Sequence, residues 1–183
     1  MPSRRARVRI APLGADDEAE FVAAARASRH LHAPWTSAPQ DAAAFRERLA
    51  YLQREGNHAF ALRRADTGAL VGSVALTNVV RGVFLSGYLG YYAFAGHEGQ
   101  GLMSEGLRRV VRFAFRELGL HRLEANIQPG NAASIALARS AGFRLEGFSP
   151  RYLLIGGQWR DHERYAITAD EHAAAKASGE QAA

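Results

Sequence analysis

Cysteine is absent from this chain of 183 residues. That removes disulfides, thiolate nucleophiles and Cys-based zinc sites. Lysine is almost absent too: Lys176 is the only one, so nearly all the positive charge is arginine. No run of about 18 apolar residues occurs, which excludes a membrane-spanning helix. The opening stretch, Met-Pro-Ser-Arg-Arg-Ala-Arg-Val-Arg-Ile, is charged with no apolar segment behind it, unlike a secretion signal. Acidic residues are outnumbered, 18 against 23 basic ones, giving a net charge of +5 and a pI near 10.1. A basic surface suits acidic partners. The arginine-for-lysine bias with many alanines also has the mark of a GC-rich genome. No basic run interleaves with aromatics, which argues against a nucleic-acid platform. His30 and His32 lack a third convergent ligand, which argues against zinc. The length and these absences predict one domain, over residues 1–170, in a cytoplasmic protein without a metal.

What the chain does have is concentrated in Ala93-Phe-Ala-Gly-His-Glu-Gly-Gln-Gly-Leu-Met-Ser-Glu-Gly-Leu107. An apolar stretch passes through a glycine-rich turn into a long amphipathic pattern. Such a turn leaves the first N–H groups of the helix unpaired. With the helix dipole behind them, they form a seat for a phosphate or pyrophosphate. A Walker loop would end in Gly-Lys-Ser/Thr. Gly96 and Gly101 have its spacing, but Leu102 and Met103 follow, so nucleotide hydrolysis is disfavoured. A dinucleotide fingerprint would need a small glycine-like residue at Ser104 and a position near the chain start, whereas Gly99-x-Gly101 lies mid-chain. A plain helix start also uses glycines, so the turn by itself leaves both readings open.

The periodicities predict a mixed α/β sheet domain. Strands are expected at 7–11, 58–64, 69–80, 86–95, 122–128 and 143–147, with a hairpin of 152–155 and 159–167 around Gly156-Gly157. Helices are expected at 16–28, 40–55, 101–118 and 131–141, and residues 29–39 as a loop with Trp35 as its aromatic anchor. The third helix carries Met103, Leu107, Val110, Val111, Ala114 and Leu118 at a period of about 3.6. Gly119 and Gly142 are expected helix ends. Residues 171–183 are small and polar and are expected to be a frayed tail.

Strand, Gly-x-Gly-x-x-x-Glu helix, strand, Asn131-x-x-Ser134 helix and Gly142-Phe143 together resemble the GNAT superfamily of N-acetyltransferases. Five strings narrow the resemblance to the RimJ/RimL type of ribosomal-protein-alanine acetyltransferase. They are Asn78-Val-Val-Arg-Gly-Val-Phe84, Tyr88-Leu-Gly-Tyr91, Gly101-Leu-Met103, Asn126-x-x-Pro-x-Asn131 and Tyr152-Leu-Leu-Ile-Gly-Gly-Gln-Trp-Arg-Asp-His162. Arg29-His-Leu-His-Ala-Pro-Trp35 is similar to that group's acceptor-side loop. The likeness runs over most of residues 7–168. It implies a mostly antiparallel sheet splayed around the coenzyme, with helices on both faces. It implies acetyl-CoA as cosubstrate, held by Phe94, Glu98, Gly99, Gln100, Gly101, Leu102, Met103, Asn131 and Ser134. The acceptor it implies is the N-terminal peptide of a ribosomal protein, acetylated on alanine. A free small-molecule amine, such as an amino acid, polyamine or antibiotic, is the alternative, as is a coenzyme-binding regulatory domain without turnover. The protein is expected to be a monomer or a homodimer. One departure stands out: many members have Gln or Arg where Gly96 stands.

The chemistry follows from the bond to be made. Acetyl transfer from a thioester to an amine needs a neutral amine, donors for the tetrahedral oxyanion and a proton for the leaving thiolate. Neutralising an α-amine at pH 7 costs only about 1 kcal/mol, against roughly 4.6 kcal/mol for a lysine side chain. In the family the residue matching Asn131 orients coenzyme and water, and in some members the residue matching Ser134 protonates the thiolate. N-capping is the structural alternative for Asn131. Leu153 stands where a relative has a glutamate proposed as base. Glu124 shares a strand face with Asn126 and is a candidate base through water; an ion pair with Arg122 or Arg144 is its competing role. Trp35, Tyr92 and Tyr152 are the candidate acceptor contacts. Tyr91 and Tyr92 point to opposite faces, which predicts one in the core and one in the cleft.

Overall fold

The computed structural model of the protein describes residues 6–181. Most of the basic N-terminal stretch and the last two residues lie outside the described residues. The contacts group the chain into two compact units interleaved along the sequence: Met1–Ala75 with Tyr91–Val110, and Leu76–Gly90 with Val111–Ala183. Seven strands form a mixed, mostly antiparallel sheet accompanied by helices.

The first unit begins with β1 (Val8–Pro12) and β2 (His58–Arg64), antiparallel from Val8↔Arg64 to Pro12↔Phe60. Between them lie α1 (Glu18–Ala27), α2 (Arg29–His32) and α3 (Ala42–Leu52). Asp41 caps α3, its Oδ1 accepting the Ala44 N–H at 2.8 Å. Phe21 and Phe45 pack at 5.1 Å between ring centroids, and Phe21 meets Phe94 edge-on at the same distance. Arg63 bridges Asp17 and Glu20 at 2.6 and 2.7 Å. The unit also holds the start of β3 (Leu70–Val80), the end of β4 (Ser86–Ala93) and the first turns of α4 (Leu102–Arg116). Gly106 lets α4 sit close on β2: a Cβ there would fall 2.4 Å from Leu62 Cδ1. Leu107, Val110, Val111 and Ala114 of the expected stripe are fully buried, joined by Leu102, while Met103 and Leu118 are half-buried.

The second unit holds the remainder of those elements with β5 (Arg122–Ile127), α5 (Ala132–Ser140), β6 (Arg144–Ile155), β7 (Gln158–Thr168) and α6 (Ala169–Gln181). Parallel pairing of β4 with β5 covers Ser86↔Arg122, Gly87↔Leu123 and Tyr88↔Glu124, after which β5 continues against β7 as far as Ile127↔Glu163.

Three expectations are corrected. Residues 29–32 are helical, and the loop begins only after His32. The two short strands expected at 143–147 and 152–155 are one strand, β6, whose register shifts between Leu145 and Gly147 and between Ser149 and Leu153 absorb the extra residues. The tail expected from residue 171 is α6. Its start is a capping box: Glu171 Oε2 accepts the Thr168 N–H at 2.8 Å, and Thr168 Oγ1 accepts the Glu171 N–H at 3.4 Å. An alanine-rich run, favourable for helix, follows.

Candidate active site

In the first unit, the turn from Ala95 to Met103 passes through Gly99 and Gly101, both left-handed at φ 69° and 72°. A residue with a side chain is strained there. The turn is braced by its own side chains. Glu98 Oε2 accepts the Gly96 N–H at 2.7 Å, and Gln100 Nε2 donates to Gly96 O at 3.1 Å. Backbone N–H groups of Glu98, Gly96 and His97 hold the Glu98 carboxyl below its ordinary range, with a smaller contribution from His30. Arg64 Nη1 donates to Gln100 Oε1 at 3.1 Å. The Glu105 N–H, bonded to Gly101 O at 3.0 Å, starts the α4 ladder. The N–H groups just before it precede that ladder, the arrangement a helix start offers to an anion.

Two of the apolar side chains flanking this turn are buried and the third packs inward. Leu102 is buried. Met103 turns onto β3: a Cβ at Gly72 would lie 2.4 Å from Met103 Sδ. Phe94 is buried at 2% exposure in the Phe21 cluster, and its N–H donates to Val71 O at 2.9 Å. What Phe94, Leu102 and Met103 offer on the open side of the turn is mainly backbone, as strand and helix periodicity dictates.

The segment after α1 is fastened to the end of β4. Ser28 Oγ donates to Ala24 O at 2.6 Å and accepts the Ala95 N–H at 2.8 Å. His32 Nε2 bonds Ala93 O at 2.8 Å. Burial lowers the His32 pKa, against which the Ala93 bond acts in the opposite direction. The Tyr92 ring lies 5.4 Å from His32 and 6.3 Å from Phe21, and its hydroxyl donates to Ser37 O at 3.4 Å. Tyr92 thus packs against the core cluster while its hydroxyl reaches the acceptor-side segment. Trp35 is half-buried, its N–H on His32 O at 2.8 Å.

In the second unit, Asn131 caps α5 through Oδ1, which accepts the Ser134 N–H at 3.1 Å. The β5 alternation buries Leu123, Ala125 and Ile127 and turns Arg122, Glu124 and Asn126 to the other face. Glu124 Oε1 accepts from Arg122 Nε at 2.8 Å. Arg122 also engages Glu146, and Arg144 bridges Glu146 and Glu171. The Arg122 guanidinium lowers the Glu146 pKa to about 2. Of the two roles expected for Glu124, the structure shows the ion pair with Arg122. Burial, then the Glu124 charge, pushes the Tyr88 phenol up; Tyr88 and Tyr152 share a hydrogen bond. Tyr152 also meets the buried His162 edge-on at 6.2 Å.

A glycine turn opens a helix in the first unit, and an Asn-capped helix follows β5 in the second. Residues 7–144 match the Acetyltransferase (GNAT) domain family. The chain belongs to the GNAT acetyltransferase family. It is 42% identical over 109 residues to the [Ribosomal protein uS5]-alanine N-acetyltransferase of Escherichia coli, covering 60% of this chain and 56% of that protein. It is 37% identical over 116 residues to the probable N-acetyltransferase YjcK of Bacillus subtilis, covering 63% and 64%. These matches span less than two thirds of the curated relatives' own length. The solved structure of Mycobacterium smegmatis RimJ in complex with CoA-disulfide is 28% identical, covering 94% of this chain and 89% of that one, with a TM-score of 0.82.

Two groups in this GNAT chain carry signals that the candidate residues leave out. Asn126 Oδ1 is buried without a hydrogen-bond partner among the described residues. Such an acceptor calls for a ligand or water, and its place in the Asn126-x-x-Pro-x-Asn131 string was the available cue. Arg7 Nη1 donates to Gln100 O at 3.1 Å, on the glycine turn; no local pattern links positions so far apart. Among the described residues, no group of three or more His, Asp or Glu is placed to hold a metal ion, and no helix is long and apolar enough to cross a membrane.

Proposed function

We propose that this protein is an acetyl-CoA-dependent N-acetyltransferase that modifies a protein N-terminal α-amine, with the terminal alanine of a ribosomal protein as acceptor. The GNAT match over residues 7–144 carries the reading. The residues fit the coenzyme: a Cβ at Gly99 would meet nothing within 4 Å, so the backbone there is open to a pyrophosphate. Acetyl-CoA supplies a thioester carbonyl open to attack by an amine. The N–H groups of the Gly99–Met103 turn hold its phosphates. Asn131 keeps the α5 start in place, and the Ser134 hydroxyl gives a proton to the departing thiolate.

The acceptor class is supported by the absence of a strong base. Leu153 takes the place of the relative's glutamate, and Glu124 is paired with Arg122. A site of this kind suits an amine that is partly neutral at pH 7, which an α-amine is and a lysine side chain is not. The 42% identity to an alanine N-acetyltransferase supports the same acceptor. The test is mass mapping after reaction with acetyl-CoA of a peptide that begins with alanine and contains an internal lysine, alongside a panel of free amines. Acetyl on the terminal nitrogen is the expected result, with activity rising from pH 6 towards about 8.5 as the amine loses its proton. Acetyl on lysine side chains, or on free small amines with the peptide inert, rejects this acceptor.

A further inference from the structure

The glycine turn is tied to β1 by one ion pair. Glu105, in the first turns of α4, accepts the Arg7 N–H at 2.9 Å, the Val8 N–H at 3.1 Å and Arg7 Nε at 3.2 Å. Arg7 reaches on through Nη1 to Gln100 O at 3.1 Å, and its Nη2 would lie 3.6 Å from a Cβ on Gly101. One guanidinium thus grips both the carboxylate of the helix and a carbonyl of the turn. Its side chain keeps 45% exposure, against 20% for Glu105. An unbalanced carboxylate at position 105 would repel an anion seated on the turn, at a separation where neither water nor salt screens it fully.

We propose that Arg7 is a positioning residue for the coenzyme: it fixes the glycine turn through Gln100 and cancels the Glu105 charge beside the phosphate seat, so that it governs coenzyme affinity and not turnover. This rests on the turn being the coenzyme seat. The two partners then differ in sign. Losing Arg7 frees the turn and leaves the Glu105 carboxylate with only the longer Arg109 contact, Nε to Oε1 at 3.8 Å, so that its negative charge is less well balanced. Losing the Glu105 charge loosens the same pair but leaves a guanidinium facing the phosphates.

The test is calorimetric titration of the whole chain with acetyl-CoA, with kcat at saturating coenzyme and thermal unfolding in parallel. Arg7→Gln should weaken binding about tenfold, and Glu105→Gln by no more than about threefold, with kcat within about twofold for both. The Arg7→Gln deficit should shrink as salt rises from about 0.05 to 0.5 M. Equal weakening by both variants, or a fall in kcat matching the loss of binding, reduces the pair to a structural brace and overturns the proposal. So does unchanged affinity in Arg7→Gln when Gly101→Val binds weakly. If Gly101→Val also binds normally, the seat itself is misassigned. Should Arg7→Gln fail to fold, Arg7→Lys keeps the charge and loses the fork. It should fall between wild type and tenfold, and affinity equal to wild type overturns the fixing of the turn.

Discussion

Asn131 Oδ1 accepts the backbone N–H of Ser134 at 3.1 Å, so the cap on α5 uses the Ser134 main chain and not its hydroxyl. The two side chains are therefore separable by mutation. Asn131→Ala should cost about 1 kcal/mol of stability, seen as a lower Tm. Ser134→Ala should lower kcat by about 10²–10⁴-fold at unchanged coenzyme affinity if the hydroxyl protonates the thiolate. A fall below about threefold would return Ser134 to a purely structural role.

Gly101 sits at φ 72° with room for a Cβ, so the strain of a substitution is in the backbone and not in a clash. Gly101→Val should fold, lose about 1–3 kcal/mol, and bind acetyl-CoA at least tenfold more weakly as the turn relaxes away from the left-handed region. Titration calorimetry on the folded variant reads this directly.

Glu124→Gln removes a charge held by Arg122, not a free base. The pH profile of kcat/KM should keep its shape, with a loss of less than about threefold. Disappearance of the acid limb in this variant would reinstate Glu124 as the base.

Burial holds His32 and His162 below the ordinary imidazole value of 6.5. In the unfolded chain both take up protons near 6.5; in the folded chain they resist until lower pH. Each therefore contributes stability that is complete above 6.5 and is lost as the pH falls through the folded value. Unfolding followed from pH 7.5 to 5 should show a falling Tm, and His32→Gln should flatten part of that slope. An unchanged slope would mean that His32 gains its proton without penalty.

Thr168 opens α6 by exchanging bonds with Glu171. Thr168→Ala should cost about 1 kcal/mol, a Tm shift of about 2–4 °C in a chain of this size, with activity unchanged. Circular dichroism should show the loss of helix at the C-terminal end.

Much of the architecture was legible because it depends on local spacing. The period of Leu107, Val110, Val111 and Ala114 specifies a buried stripe whatever surrounds it. The Asp66-Thr67-Gly68 turn, with Gly68 at φ 78°, places β2 and β3 within a residue of the spans expected for them. The glycine turn proposed as the phosphate seat was legible for the same reason: the turn and the helix start are neighbours in sequence. The Thr168-Ala-Asp-Glu171 box was equally local but was hidden by a polar, small-residue composition that reads as a tail.

Other features depend on which residues the fold brings together. Whether Glu124 is a free carboxylate depends on Arg122 two residues away along the strand and on the shared Glu146, and strand alternation alone predicts both outcomes. Phe94 lies beside the glycine turn in sequence, yet its ring belongs to the Phe21 cluster, because the pleat turns it inward while its neighbours stay half-buried. Arg7 and Glu105 are separated by 98 positions, and only the packing of β1 against the start of α4 brings a guanidinium to the turn. Sequence periodicity determines which face a residue shows, because backbone geometry repeats every two or about 3.6 residues. Which group meets it across that face is decided by tertiary packing, and so are charge pairing and proton affinity.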